Sequence, residues 1–123
     1  MVFERTEDLN VDLNPATPLI GIRVPDYPFL QKLVAACRQP LALTSANPSG
    51  AKSCVRAEEF HSLWPGLAVV YDGGELGTTE ESRLGSTVVD LSTRGQYKVI
   101  RDGCAFASTT ETLHKHGLVR ALR

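Results

Sequence analysis

Leu41-Ala42-Leu43-Thr44-Ser45-Ala46-Asn47-Pro48-Ser49-Gly50 is the stretch on which the reading of this chain turns. A short apolar run stops abruptly in two hydroxyls, a carboxamide, a proline and a glycine. That is the pattern of a buried strand emptying into a polar loop. Thr44, Ser45 and Asn47 can hydrogen-bond a phosphate or carboxylate without adding charge. The plainer reading of the same residues is a turn closed by bonds from side chain to backbone.

On either side of this run the apolar residues alternate between strand and helix spacing. Leu19-Ile20-Gly21-Ile22-Arg23-Val24 is rich in β-branched residues and reads as a strand closed by Pro25. Asp26 stands where a cap would, with Pro28 in the first turn of a helix. Phe29, Leu30, Leu33, Val34 and Cys37 then fall on helical spacing. Residues 1–17 read as a polar lead-in with a short helical piece near residues 4–10. Downstream, residues 56–64 read as a short helix stopped by Pro65-Gly66. Residues 67–71 read as a strand buried on both faces, and residues 75–83 as an exposed acidic loop. Residues 86–91 and 97–101 read as an antiparallel pair joined by a turn at Arg94-Gly95. Ser108 and Glu111 have capping-box spacing and predict a C-terminal helix ending at Gly117. The mixture predicts an α/β chain with helices flanking a sheet.

Of the 123 residues, 42% are hydrophobic and 22% charged, the balance of a packed chain rather than a disordered one. A formal net charge of -1 gives no reason for strong non-specific binding to nucleic acid, although it leaves room for a local basic groove. No apolar run is long enough to cross a bilayer. Residues 1–5 lack the basic and apolar regions of a signal peptide. The three cysteines, Cys37, Cys54 and Cys104, are widely spaced and odd in number. They point to a reducing compartment, so a cytoplasmic location is expected. No Cys-x-x-Cys pair is present, and His114 and His116 are spaced for different faces of a helix. No zinc, haem or flavin is expected.

Polar residues collect where the expected strands end. Arg23 stands just before Pro25; Thr44, Ser45 and Asn47 follow the second run; Gly85-Ser86-Thr87 opens the third strand; and the fourth delivers Arg101 into Asp102-Gly103. In open α/β sheets ligands gather at such strand ends. Arginine grips carboxylate or phosphate through two parallel donors, and glycine lets a ligand approach the backbone. Taken singly, each has a plainer reading: a surface arginine, a turn, or ordinary strand polarity. Walker loop, dinucleotide fingerprint and hydrolase elbow are all missing.

In order along the chain stand Gly21-Ile22-Arg23-Val24-Pro25-Asp26, the run 40–50, Asp72-Gly73-Gly74, Leu84-Gly85-Ser86-Thr87-Val88-Val89-Asp90 and Val99-Ile100-Arg101-Asp102-Gly103. This succession resembles the YrdC family, the threonylcarbamoyl-AMP synthases, over residues 9–104. The resemblance implies a twisted mixed sheet with flanking helices and a large groove. It divides the chain into a lead-in at 1–17, a YrdC-like domain at 18–107 and a C-terminal helix and tail at 108–123. It also implies a reaction in which L-threonine, bicarbonate and ATP give threonylcarbamoyl-AMP and pyrophosphate, the product serving modification of adenosine 37 in tRNA.

By motif, the resemblance assigns Thr44, Ser45, Asn47, Ser53 and Arg101 to ATP, and Arg23, Ser86 and Thr87 to threonine. Magnesium is expected with ATP. Other expected partners are tRNA or double-stranded RNA and a downstream transferase complex that takes over the product. Two features depart from the family pattern. Asp102 stands where proline is usual, and the Lys-x-Arg motif and the Pro-Thr-Asp-Thr-type segment that precede the matched region are absent. The expectation is therefore a sheet incomplete on its N-terminal side, in the C-terminal part of a domain with little activity by itself. A mitochondrial location is the alternative for a full-length form, and a non-catalytic RNA- or nucleotide-binding fragment is the alternative function.

Overall fold

The computed structural model describes residues 1–122. Five short strands form one mixed sheet in the order β2-β1-β3-β4-β5: β1 is Val2–Glu4, β2 Leu19–Gly21, β3 Val88–Asp90, β4 Gln96–Arg101 and β5 Val119–Arg120. Two α-helices, α1 (Pro28–Cys37) and α2 (Phe106–Lys115), and two 3₁₀ segments, Ala57–Gly66 and Glu80–Arg83, complete the elements. The α/β class and the mixed sheet expected from sequence are both present.

The β3–β4 pair is the backbone of the fold. It is antiparallel, as its alternating Val, Tyr and Ile residues predict, with Val89 opposite Val99 and Asp90 opposite Lys98. Val89 and Tyr97 are each 1% exposed and meet Leu113 of α2, while Leu91, Val99 and Leu118 pack around them. The Tyr97 hydroxyl and His114 Nε2 are hydrogen-bonded at 2.8 Å, so the one polar atom carried into this core is satisfied. β5 runs parallel to β4 after α2 and continues it through Ala121 N–H to Tyr97 O, 2.9 Å.

At the other edge, β1 joins β3 in parallel and β2 in antiparallel register, Phe3 opposite Ile20. β1 stands where a loop was expected, whereas residues 5–17 are the expected loop, made of turns and bends with no helical piece. Three residues are too few to show a period, and only pairing reveals them as a strand. β2 is shorter than expected: Ile22 still exchanges two bonds with Met1, at 2.7 and 2.9 Å, but among the described residues nothing pairs with Arg23 or Val24.

Several local expectations are corrected. Tyr27, not Asp26, is the N-cap residue of α1, and no side chain caps it. α2 begins at Phe106, ahead of Ser108, whose hydroxyl donates back to Ala105 O instead of capping. Its C-terminal stop is as read, with Gly117 at φ 76°. The acidic stretch 75–83 contains a 3₁₀ turn in which Thr79 Oγ1 accepts from Ser82 N–H at 3.3 Å.

Residues 41–44 and 67–71 are not strands, and the latter is not buried on both faces: Leu67, Val69 and Tyr71 are exposed. Their composition suits a sheet, but a strand exists only where a neighbour supplies hydrogen bonds.

The core predicts a graded response in urea unfolding. Leu113→Ala lowers stability by about 2–4 kcal/mol through the cavity it leaves. Tyr97→Phe, which removes only the bond to His114, costs about 1 kcal/mol.

Candidate functional site

The end of β4 presses onto the segment that opens β3. A Cβ at Gly103 would lie 2.5 Å from Gly85 O and from the Ser86 carbonyl carbon, and would also strike Thr87 N. Only hydrogen fits there. This approach lets Cys104 N–H reach Gly85 O (3.0 Å) and Ala105 N–H reach Thr87 Oγ1 (3.2 Å). It also puts Arg101 beside residues 85–87, where its Nε–H donates to Ser86 O at 2.8 Å. That bond sets the plane of the guanidinium and leaves its two terminal nitrogens without hydrogen-bond partners among the described residues.

Ser53 joins from a distant part of the chain. A Cβ on Gly85, which sits at φ +75°, would lie 3.2 Å from Ser53 Oγ and 3.7 Å from the end of the Arg101 guanidinium. Gly85 therefore keeps a small gap open between a hydroxyl and a cation. Ser53 is held by Arg83, which donates to Ser53 O (3.3 Å) and grips Glu59 at 2.5 and 3.2 Å. Glu59 Oε1 also accepts from the backbone N–H groups of Val55 and Arg56. Chiefly because of the Arg83 bond, the Glu59 carboxyl is held below its ordinary range, and Arg83 is correspondingly raised. Sequence reading passed over this latch. Its one signal was a basic residue ending an acidic stretch.

The structure therefore brings Ser53, Ser86, Thr87 and Arg101 together. The Thr87 hydroxyl is spent on the backbone of Ala105, whereas that of Ser86 has no partner among the described residues. Thr44 and Ser45 lie exposed on an irregular segment, and their side chains make no hydrogen bond among the described residues. Asn47 turns inward: its amide N–H groups donate to Pro48 O and Ala51 O, both at 3.0 Å, and its Oδ1 is enclosed without a partner. In this geometry Asn47 braces the loop.

Arg23 stands elsewhere, at a cleft of about 770 Å³ between α1 and residues 70–76, walled by Tyr27, Phe29 and Tyr71 and edged by Asp26 and Asp72. Arg23 makes no ion pair among the described residues. A guanidinium without an ion pair in a cleft with aromatic walls suits a carboxylate carried on an apolar body. Among the described residues no group of three His, Cys, Asp or Glu side chains is placed to hold a metal, and no helix is long and apolar enough to cross a membrane.

A family model named Sua5/YciO/YrdC, described as telomere recombination, matches residues 1–103. Human threonylcarbamoyl-AMP synthase is 55% identical over 122 residues, covering 97% of this chain and 44% of its own length. The bovine threonylcarbamoyl-AMP synthase is 53% identical with the same coverage. That of Bacillus subtilis is 37% identical over 73 residues, 58% of this chain and 21% of its own. The chain thus spans less than half the length of these relatives. No solved structure matches it significantly.

Two outcomes test the local geometry. Gly103→Ala costs about 1–3 kcal/mol of stability and exposes the Cys104 amide to hydrogen exchange. The Arg83–Glu59 latch should weaken in acid. A carboxyl lowered on folding contributes stability above its unfolded pKa of about 4.3 and loses it as pH falls through the lower folded value. Exchange at the Val55 and Arg56 amides should therefore speed up in that window, beyond the intrinsic pH effect. In Glu59→Gln it should already be fast at neutral pH.

Proposed function

The chain belongs to the Sua5/YciO/YrdC family, and on that premise we propose that it forms the nucleotide-holding part of a threonylcarbamoyl-AMP synthase. The observation that carries this reading is the meeting of Ser53, Gly85, Ser86 and Arg101 at one end of the β3–β4 pair. The identity of this chain to the mammalian synthases supports it.

In the proposed reaction an oxygen of N-carboxylated threonine attacks the α-phosphorus of ATP. The bond from that phosphorus to the bridging oxygen breaks, and pyrophosphate leaves with the electron pair. The protein must bring two anions together and stabilise the charge that builds on the phosphoryl oxygens. Arg101 suits the phosphate side. Its Nε–H is tied to Ser86 O, so its terminal nitrogens are already oriented when ATP arrives. Ser53 Oγ, a neutral donor, lies with the end of the Arg101 guanidinium around Gly85, and the absence of a side chain there leaves both open to approach by a phosphate oxygen. Magnesium enters as part of the Mg·ATP substrate. Arg23, uncommitted at its cleft, is assigned to the threonine carboxylate. No side chain here is needed as a general base, since orientation and charge stabilisation supply the catalysis. The product would serve threonylcarbamoylation of adenosine 37 in tRNA, in the cytoplasm.

Calorimetric titration of Mg·ATP into the chain tests the assignment. Arg101→Ala weakens binding about tenfold or more, the worth of one charge-assisted hydrogen bond; unchanged affinity would remove Arg101 from the site. With threonine, bicarbonate and ATP, the 123-residue chain by itself releases no pyrophosphate above background, because the Lys-x-Arg cations expected of the family are not among its residues.

A further inference from the structure

The cleft between α1 and residues 70–76 holds charges of both signs that do not meet. Arg23 and Asp26 reach it from the segment leading into α1, and Asp72 from the other side. Among the described residues none of the three makes an ion pair. Opposite charges that share a cleft without touching suit a ligand that carries both.

Asp72 is the better fixed of the two aspartates. Its Oδ1 accepts from Gly74 N–H at 2.8 Å, closing a turn in which Gly74 takes φ 77°. Its Oδ2 has no partner among the described residues. A Cβ at Gly73 would stand 3.1 Å from the Tyr27 hydroxyl oxygen, so only the missing side chain lets the turn lie this close to an aromatic wall of the cleft. Tyr71, the neighbour of Asp72, packs its ring on Phe29 of α1 with centroids 4.9 Å apart. The turn and its neighbour thus hold the Asp72 carboxylate at the cleft with one oxygen spare.

We propose that Asp72 holds the ammonium group of the incoming amino acid, so that the cleft admits free threonine as its zwitterion and turns away threonine already carboxylated on nitrogen. The inference rests on the reading of Arg23 as the partner of the threonine carboxylate. With that end on Arg23, the ammonium lies among Asp72 and the aromatic walls, whose faces attract a cation. One arginine against two aspartates leaves the cleft lining net negative. In the proposed reaction bicarbonate converts the ammonium into a carbamate, with release of water and a proton. The nitrogen end then changes from cation to anion, and attraction to Asp72 becomes repulsion. Asp72 is therefore a specificity residue that reads the charge at nitrogen: it draws in the amino acid and disfavours the return of its carboxylated form.

The test titrates the isotope-labelled chain, read at the Gly73 and Gly74 amides, with three ligands that share a carboxylate and differ at nitrogen. These are L-threonine (cation), N-acetyl-L-threonine (neutral) and N-oxalyl-L-threonine (anion). Affinity should fall in that order, with about tenfold between the first two, the worth of one charge-assisted hydrogen bond. Asp72→Asn keeps an oxygen for Gly74 N–H but loses the charge. It should weaken threonine about tenfold and strengthen the oxalyl compound. Damage to the fold would weaken all three ligands, so a gain for the anion cannot come from misfolding. Three results overturn the proposal: the wild-type chain shows no such order, the order survives Asp72→Asn, or Asp26→Asn alone erases it. Arg23→Ala tests the underlying reading separately. It should weaken all three ligands alike; if it weakens none, the carboxylate assignment fails whatever the order at nitrogen. Absence of binding by every ligand overturns both.

Discussion

The close approach of Gly103 to the backbone of residues 85–87 is the constraint on which the rest of the site depends. β3 and β4 would pair without it, since their register needs only backbone bonds and the packing of Val89 and Tyr97 on Leu113. Beyond the last pair, however, the chain leaves β4 and must turn into α2. Because position 103 lacks a side chain, the turn lies flat on the start of β3 and binds it through Cys104 and Ala105. Arg101, two residues earlier, is thereby held against Ser86 O. The same turn sets where α2 begins, and α2 supplies Leu113 and His114 to the core. Core and site are thus joined through a few residues of backbone.

The other wall of the site is secured by charge instead of sheet pairing. Residues 53–56 belong to no strand; the Arg83–Glu59 pair, the Arg56–Glu75 ion pair and the bond from Leu76 N–H to Val55 O attach them. The Arg83–Glu59 pair is about three-quarters shielded from water, with side-chain exposures of 27% and 29%, and it is braced by backbone donors at Glu59 and a backbone acceptor, Ser53 O, at Arg83. It therefore differs from the Lys52–Glu80 contact, where exposures of 72% and 78% leave little net stabilisation. One wall of the gap at Gly85 is rigid through packing, and the other is held by an ion pair that responds to pH.

Sequence reading reached the parts of this molecule whose causes are local. β3, β4, α1 and α2 are marked by alternation, helical spacing, proline and glycine, and Arg101 was found because it ends a strand before Asp102-Gly103. Errors in the helix starts were small: Asp26 and Ser108 are good caps by type, but Tyr27 takes the N-cap position of α1, and Ser108 Oγ donates back to Ala105 O from within α2. β1 and β5, three and two residues long, exist only because β3 and β4 offer free edges. The Arg83–Glu59 latch joins positions 24 apart, and no motif announces it. Residues 41–44 and 67–71 were misread for the opposite reason. Their composition is that of strands, and the missing element is a neighbour.

That absence bears on the stretch from which the site was first inferred. Thr44 and Ser45 are the continuation of a segment that nothing holds, while Asn47 is occupied with its own loop. Hydroxyls on an unpaired segment can reach a phosphate only in the fraction of conformations that point them inward, and the observed affinity falls by that fraction. Arg101 and Ser53 carry no such penalty, since packing and the Arg83 latch already orient them. The two groups of donors are therefore unequal in this chain. Ligand binding to the Arg101 side is largely preorganised, whereas any contribution from Thr44 and Ser45 is coupled to whatever pairs with residues 41–44. A single nucleotide contacting both would order residues 41–44, and by reciprocity whatever orders that segment would raise the affinity for that nucleotide by the same factor.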